Sequence, residues 1–435
     1  MRKIILISLL MLGAFLAAAE LDLENAWELV LVNNPQIQSE KLLIADRASD
    51  TKLAMADLLP SGSLSGSYKR NGDELETENM DYSVTLSQPL YQGGKLINSY
   101  QNSKKEFEQA ELSYQNLLLS MREQLEVRYY SVLEKQESVE IAQSELAYSN
   151  SNLSAAEIRY ENGNISFGDL LQLRSNAAQQ EVSILKAKNN LQKAMNELKS
   201  FLDYADNLSV KPVSLADYVQ ITDALGEWKI TDLNNIESRL IDYAAENNPG
   251  YLSETLGVAI SETQLKSAKG NFLPSVNMNL SRGWNYSDWN DDPEGTLSLG
   301  INTSIPIFSI YDNALNYAKA KNSLSRTELS EKQAELDLNL EIKSGILNLV
   351  AAVQELNAAG TAQEYAEISY QTADEQFRNK MITANELLNT QIALQTAESS
   401  LNTSVYSFLN YKSNLQKSLG ILAEAELWKL LLIDQ

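Results

Sequence analysis

The sequence predicts an α+β membrane protein in which long antiparallel coiled-coil helices are joined to strands that form part of a shared β-barrel. Three observations predict it. The chain is written twice, each copy sustains helical heptads over a great length, and each copy precedes its heptads with two strands that alternate apolar and small polar residues.

The duplication is legible in the prolines. Asn33-Asn34-Pro35 recurs as Asn247-Asn248-Pro249 and Leu59-Pro60 as Leu273-Pro274, both displaced by 214 residues. Pro89 recurs as Pro306 at a displacement of 217, so the second copy is longer between its Leu-Pro and this proline. Six of the eight prolines pair in this way, leaving Pro212 between the copies and Pro293 in a loop. Beyond Pro89 the register holds without a gap. Leu118, Leu125, Val132, Val139, Leu146, Leu153 and Tyr160 are spaced by seven, and five of their seven counterparts are apolar or aromatic. Leu170, Ala177, Ile184, Leu191 and Leu198 match Leu387, Leu394, Leu401, Phe408 and Leu415.

Taken in order, residues 1–19 read as a secretory leader. Arg2 and Lys3 precede an apolar run to Leu16, and Ala17-Ala18-Ala19 offers a cleavage site with Glu20 as the new N-terminus. The first copy spans 20–202, with a helix, a β-hairpin at about 61–90 and a helical hairpin at about 95–202. Residues 203–235 break the heptads and form a connector. The second copy spans 236–420, with its β-hairpin at about 275–307 and its helical hairpin at about 312–420; a tail of 421–435 follows. From Leu96 to Tyr160 an unbroken helix reaches ~100 Å at ~1.5 Å per residue, and heptads sustained over that distance mean a left-handed coiled coil.

The strands carry the membrane argument. Tyr82, Val84 and Leu86 alternate with Ser83, Thr85 and Ser87; Met278 and Leu280 alternate with Asn279 and Ser281; Leu299 and Ile301 alternate with Gly300 and Asn302. Period two with small polar residues opposite is the transmembrane-barrel pattern, and Tyr82, Val84, Leu86, Met278, Leu299 and Ile301 are the expected lipid-facing set. Trp284, Tyr286 and Trp289 flank a strand turn, where they form either an interfacial belt or ordinary loop aromatics. A spanning sheet must close on itself, and four strands cannot. The remainder must come from other copies: two would give eight strands, and three a wider barrel with a lumen.

Composition narrows the alternatives. With 35 basic against 58 acidic residues the net charge is −23; loss of Arg2 and Lys3 leaves 33 against 58, or −25. Such a chain is a poor nucleic-acid partner. The absence of cysteine and histidine removes disulfides, thiol nucleophiles, soft-metal sites and the commonest proton-transfer group. No catalytic, metal or cofactor set is expected. Gly93-Gly94-Lys95 lacks the earlier glycine and following hydroxyl of a phosphate loop and reads as a strand-to-helix bend. A periplasmic coiled-coil adaptor or tether is the rival reading, but one helical hairpin without duplicated strands would suffice for it. The turns are acidic, with Asp73, Glu74, Glu76 and Glu78 in one and Asp288, Asp291, Asp292 and Glu294 in the other. These are solvated loop charges or a cation-attracting mouth.

The twofold order of Asn-Asn-Pro, Leu-Pro and strand pair resembles TolC-like outer-membrane efflux proteins. So do Gln88-Pro89-Leu90-Tyr91-Gln92-Gly93-Gly94 and Arg159-Tyr160-Glu161-Asn162-Gly163 followed by Asp169-Leu170-Leu171. The second copy departs from the pattern at Ile310-Tyr311, in place of the glycine pair, and at Lys380, in place of Gly163. The resemblance implies a homotrimer with a twelve-stranded outer-membrane barrel, four strands per chain, above a periplasmic α-barrel tunnel. It implies a passive exit duct for efflux or type I secretion, surrounded by outer-membrane lipid and docked to a periplasmic membrane-fusion adaptor and an inner-membrane transporter. It also implies a periplasmic constriction at Glu386, with Asp169 helping to hold it shut and Asn389 where a second acid is usual. The residues alone give another reading: Ser166 before Asp169 and Thr383 before Glu386 are capping boxes.

Overall fold

The computed structural model describes residues 20–71, 77–205, 208–214, 218–226, 228, 233–286, 294–307 and 309–432. The expected leader, Trp289 and the turn acids Asp73, Glu74, Glu76, Asp288, Asp291 and Asp292 lie outside the described residues. The N-terminal half runs β1 (Glu20–Leu21), α1 (Leu23–Asn33), α2 (Pro35–Ala56), β2 (Ser61–Asn71), β3 (Thr77–Gln92), α3 (Lys95–Glu161) and α4 (Phe167–Leu202). After β4 (Ser209–Val210) and α5 (Val219–Gly226) the same order of two helices, two strands and two helices returns. It runs α6 (Leu233–Asn247), α7 (Pro249–Gly270), β5 (Ser275–Tyr286), β6 (Glu294–Ser304), α8 (Ile310–Arg378) and α9 (Ala384–Leu419), with α10 (Glu424–Leu432) at the end. Among the described residues no helix is long and apolar enough to cross a membrane.

Asn-Asn-Pro proves to be a helix break with a restart. The Asn34 side chain accepts from the amides of Gln36 (2.9 Å) and Ile37 (3.4 Å), and Asn248 does the same for Tyr251 (3.0 Å). Proline opens each new helix, where its missing N–H costs nothing. The motif also reaches across the fold. Asn33 donates to the Leu202 carbonyl at the end of α4, and Asn248 to the Ser418 carbonyl at the end of α9.

The long helices α3 (67 residues) and α8 (69 residues) pair with α4 and α9 as antiparallel hairpins, and α3 also packs on α9. The heptads mark the buried face at Leu125, Val132 and Val139, and at Leu170, Leu198, Leu387, Leu394 and Leu415. Lower on α3 the buried seam shifts to Ala142, Glu145, Ser149, Asn152 and Ala156, so Leu146 and Leu153 are only half-buried.

Midway along the hairpins the connector and tail wrap the helices in one apolar core with α1 and α6. The connector is more ordered than its composition suggests. β1 and β4 pair in parallel, and the Tyr129 hydroxyl donates to the Lys211 carbonyl beside them (2.7 Å). Lys412, fully buried, donates to Glu424 (2.7 Å) and lies 3.4 Å from the hydroxyls of both Tyr130 and Tyr218. Burial alone would raise the Glu424 carboxyl, yet the Lys412 ammonium holds it below its ordinary value. Arg122 bonds Glu24 and Glu126, and Glu126 accepts from Ser413.

Where strand becomes helix, Gly93 (φ 62°) and Gly94 (φ 78°) turn the chain through the left-handed region. Gly93 has a second reason to be glycine: a Cβ there would overlap the Gly270 carbonyl at the end of α7.

Candidate functional site

The four long strands form one antiparallel sheet in the order β2-β3-β5-β6. Its register sorts the side chains by face. Leu86 stands opposite Leu280, which stands opposite Leu299; Met278 faces Ile301; Tyr82 faces Trp284. Tyr82, Val84, Leu86, Met278, Leu299 and Ile301 therefore share one face, with Trp284 and Tyr286 on it toward the turn end. Leu297, Leu299 and Ile301 are each more than 60% exposed, far beyond what a soluble sheet leaves uncovered. The opposite face is a ladder of small polar groups. Ser65 pairs with Ser83 and Ser281 with Ser298, both at 2.7 Å, while Asp81 accepts from Ser67 (3.2 Å) and Asn285. Pro89 coincides with a register shift between β3 and β5, which ends the regular alternation near the helices.

In the single chain β3 and β5 join the halves, leaving β2 and β6 as the sheet's edges. The helices have uncovered edges too. On α8, Leu329 and Leu336 are seven residues apart, Leu340 follows four residues later, and all three are more than half exposed, as are Leu42 and Leu53 on α2.

At the far end of the hairpins the two tips are built alike. Ser166 Oγ accepts from the Asp169 amide (3.1 Å), and Asp169 Oδ2 accepts from the Ser166 amide and hydroxyl. Thr383 and Glu386 repeat this with both bonds on Glu386 Oε2, at 2.8 Å each. These bonds, first the one from the Thr383 backbone, hold the Glu386 carboxyl below its ordinary range. Asn389 lies one helical turn on and is exposed, as Glu386 is. Cross-links tie one tip to the other. Arg159 donates to the Phe377 carbonyl (2.9 Å) and stacks on its ring, Arg378 donates to Ser151 (2.9 Å), and Gln172 reaches Asn385.

A polar layer above the tips has no counterpart in the sequence reading. Gln391 of α9 donates to Glu145 (3.0 Å) and Ser149 (2.7 Å) of α3, and accepts from Asn152 (3.0 Å), which also meets Tyr370 of α8. Glu145 is fully buried with one oxygen unpartnered, and burial pushes its carboxyl up to about 7. The one signal for it was a glutamate beside the heptad position Leu146, which reads equally well as a surface charge.

The profile of a family described as outer membrane efflux protein matches residues 26–202 and 240–421. Outer membrane protein TolC of Salmonella enteritidis is 21% identical over 97% of this chain and 87% of its own length. Alkaline protease secretion protein AprF of Pseudomonas aeruginosa is 25% identical, over 95% and 89%. Among solved structures, CusC superposes with a TM-score of 0.82 at 18% identity, covering 93% of both chains.

Proposed function

The chain belongs to the outer membrane efflux protein family and is an outer-membrane channel-tunnel, an exit duct for efflux or secretion; we propose that it works as a homotrimer sharing one twelve-stranded barrel. One observation carries this: a sheet with an apolar face, a serine and asparagine face, and two open edges. In hydrocarbon an unpaired edge strand costs several kcal/mol per group. Joining β6 of each chain to β2 of the next removes both edges and turns the polar face toward a lumen. The exposed leucines of α8 and α2 are then covered in the same operation, extending the barrel into a helical tunnel.

The two halves act as tandem copies in this arrangement, and the duplication supplies the register. Thr85 of β3 pairs with Ser281 of β5. Their counterparts are Asn302 of β6 and Ser67 of β2, so Asn302 should meet Ser67 of the partner subunit. The chain has no cysteine, which makes the test clean. Asn302→Cys combined with Ser67→Cys should oxidise to a covalent trimer on a denaturing gel, and neither single variant should. Crosslinked trimer from either single variant, or none from the double, would defeat the proposed closure.

Tyr82, Val84, Leu86, Met278, Leu299 and Ile301 then face lipid, with Trp284 and Tyr286 at the outer interface. Three copies of Glu386 form the periplasmic constriction, flanked by Asn389 and steadied by Asp169. The tips dock a periplasmic adaptor and, through it, an inner-membrane transporter. The duct itself is passive.

A further inference from the structure

Besides Arg70 at the turn end, the apolar face of the sheet carries a cation in its leucine rows, where none is expected. Arg282 stands in a row with Leu64, Val84 and Leu297. In that row and in the rows on either side, every other residue of the face is apolar, aromatic or glycine. Arg282 is exposed, and its guanidinium carbon lies 5.3 Å from the centre of the Trp284 ring, one row nearer the turn end. The side chain thus leans out of the leucine row to the level of the aromatic cluster, where Tyr82 and Tyr286 meet edge to face at 6.1 Å.

A bare guanidinium on a lipid-facing strand costs ~2–4 kcal/mol at mid-bilayer and little near the interface. The lean along the apolar stem reduces that cost, and an anion at the head would remove the rest. The direction of the lean identifies which anion is within reach. Every helix leaves the sheet at the Pro60, Gln92, Pro274 and Ser304 end, so the turn end, toward which Arg282 points, is the outer one. The outer leaflet of an outer membrane is built of phosphorylated glycolipid. A chain of net charge −23 would otherwise repel such a lipid, so a local cation is required to hold it.

We propose that Arg282, seated on Trp284 and flanked by Tyr82, is a binding site for the phosphate of an outer-leaflet glycolipid. The inference rests on the lipid-facing assignment of this sheet face. The test uses the full chain, purified in mild detergent and titrated with diphosphoryl lipid A and with its dephosphorylated form, with bound lipid counted by native mass spectrometry. The wild type should bind the diphosphoryl form at least about tenfold more tightly, the ratio expected for one charge-assisted contact. Arg282→Gln should bring that ratio close to one, and Arg282→Lys should keep part of it. Equal affinities in the wild type, or an undiminished ratio in Arg282→Gln, would overturn the proposal. If Arg282→Gln does not assemble, the wild-type ratio decides together with its salt dependence: a tenfold ratio insensitive to salt would also count against the site. Reconstitution separates the two failures. Wild-type protein that carbonate strips from liposomes defeats the lipid-facing assignment itself, whereas protein that resists carbonate but ignores the phosphate defeats only the Arg282 site.

Discussion

The two halves make the same turns under different constraints. At the hairpin tips Gly163 (φ 70°) and Lys380 (φ 63°) occupy the same left-handed position, although lysine adopts it at a cost. Both tips close with the same bonds, Asn164 to the Arg159 carbonyl and Met381 to the Gln376 carbonyl, and both restart on a capping box. At the sheet end the halves diverge. Gly93-Gly94 leads into α3, whereas Ile310-Tyr311 opens α8. A turn that only satisfies its own amides tolerates a side chain in the wrong region of conformational space. A turn against which another backbone rests does not, and Gly93 rests against Gly270.

The largest expected effect tests that distinction. Gly93→Ala combines left-handed strain with a clash against main chain, and should destabilise the protein by about 3–4 kcal/mol. Gly163→Ala, with open space around its Cβ, should cost about 1 kcal/mol. Unfolding midpoints in detergent give both values. Equal losses would mean that the Gly270 contact relaxes freely.

The next largest lies in the polar layer, where the halves again differ. Glu145 is buried against Gln391, while its counterpart in the second half, Ala362, is exposed. Burial raises the Glu145 carboxyl to about 7, and Glu398 adds to this against the Gln391 bond. An acid raised on folding contributes fully at low pH. As pH climbs from the unfolded value near 4.5 toward 7, the unfolded chain releases its proton first, so stability falls and then levels off. Glu145→Gln should abolish that slope and gain about 1–2 kcal/mol above pH 7, allowing for residual hydration, with little change at pH 4. Unfolding midpoints measured across this range would show it. A slope that survives in the variant would shift the titration to Glu398, whose carboxyl is also raised by burial.

Much of the architecture was legible because it is periodic. Heptads located the long helices, and two-residue alternation brought six separated residues to one sheet face. The midway core was not legible, since its contacts join segments with no shared period. Lys412 sits in a heptad stream as any solvent-facing lysine would, and only the fold brings Tyr130, Tyr218 and Glu424 around it. Arg282 was hidden for the opposite reason. It occupies an apolar position in a period-two strand, and only the register shows that its neighbours are all nonpolar.

A smaller effect comes from relieving the strained tip. Lys380→Gly removes a side chain from the left-handed region but loosens the unfolded chain, for a net gain of about 0.5–1 kcal/mol. Thermal unfolding in detergent should register it as a modest rise. A loss would show that the Lys380 side chain makes a contact worth more than its strain.

The smallest change in stability should carry the clearest change in transport. Glu386 and Asp169 have the same capping role, but Glu386 is fully exposed and Asp169 half-buried. Glutamine at 386 can still accept from the Thr383 amide, so Glu386→Gln should leave the unfolding midpoint almost unmoved. In planar bilayers it should reduce preference for cations over anions, because three carboxylates leave the proposed constriction at once. Asp169→Asn should do less to selectivity, since that carboxylate is half-buried. The Glu386 carboxyl is held low by its Thr383 bonds, so it stays charged through neutral and mildly acidic pH, and wild-type selectivity should be flat there. If Glu386→Gln lowers stability while selectivity holds, the residue is a helix cap alone and the constriction is elsewhere. If Asp169→Asn changes selectivity as much as Glu386→Gln, both tips line the passage, and the difference between the halves does not extend to function.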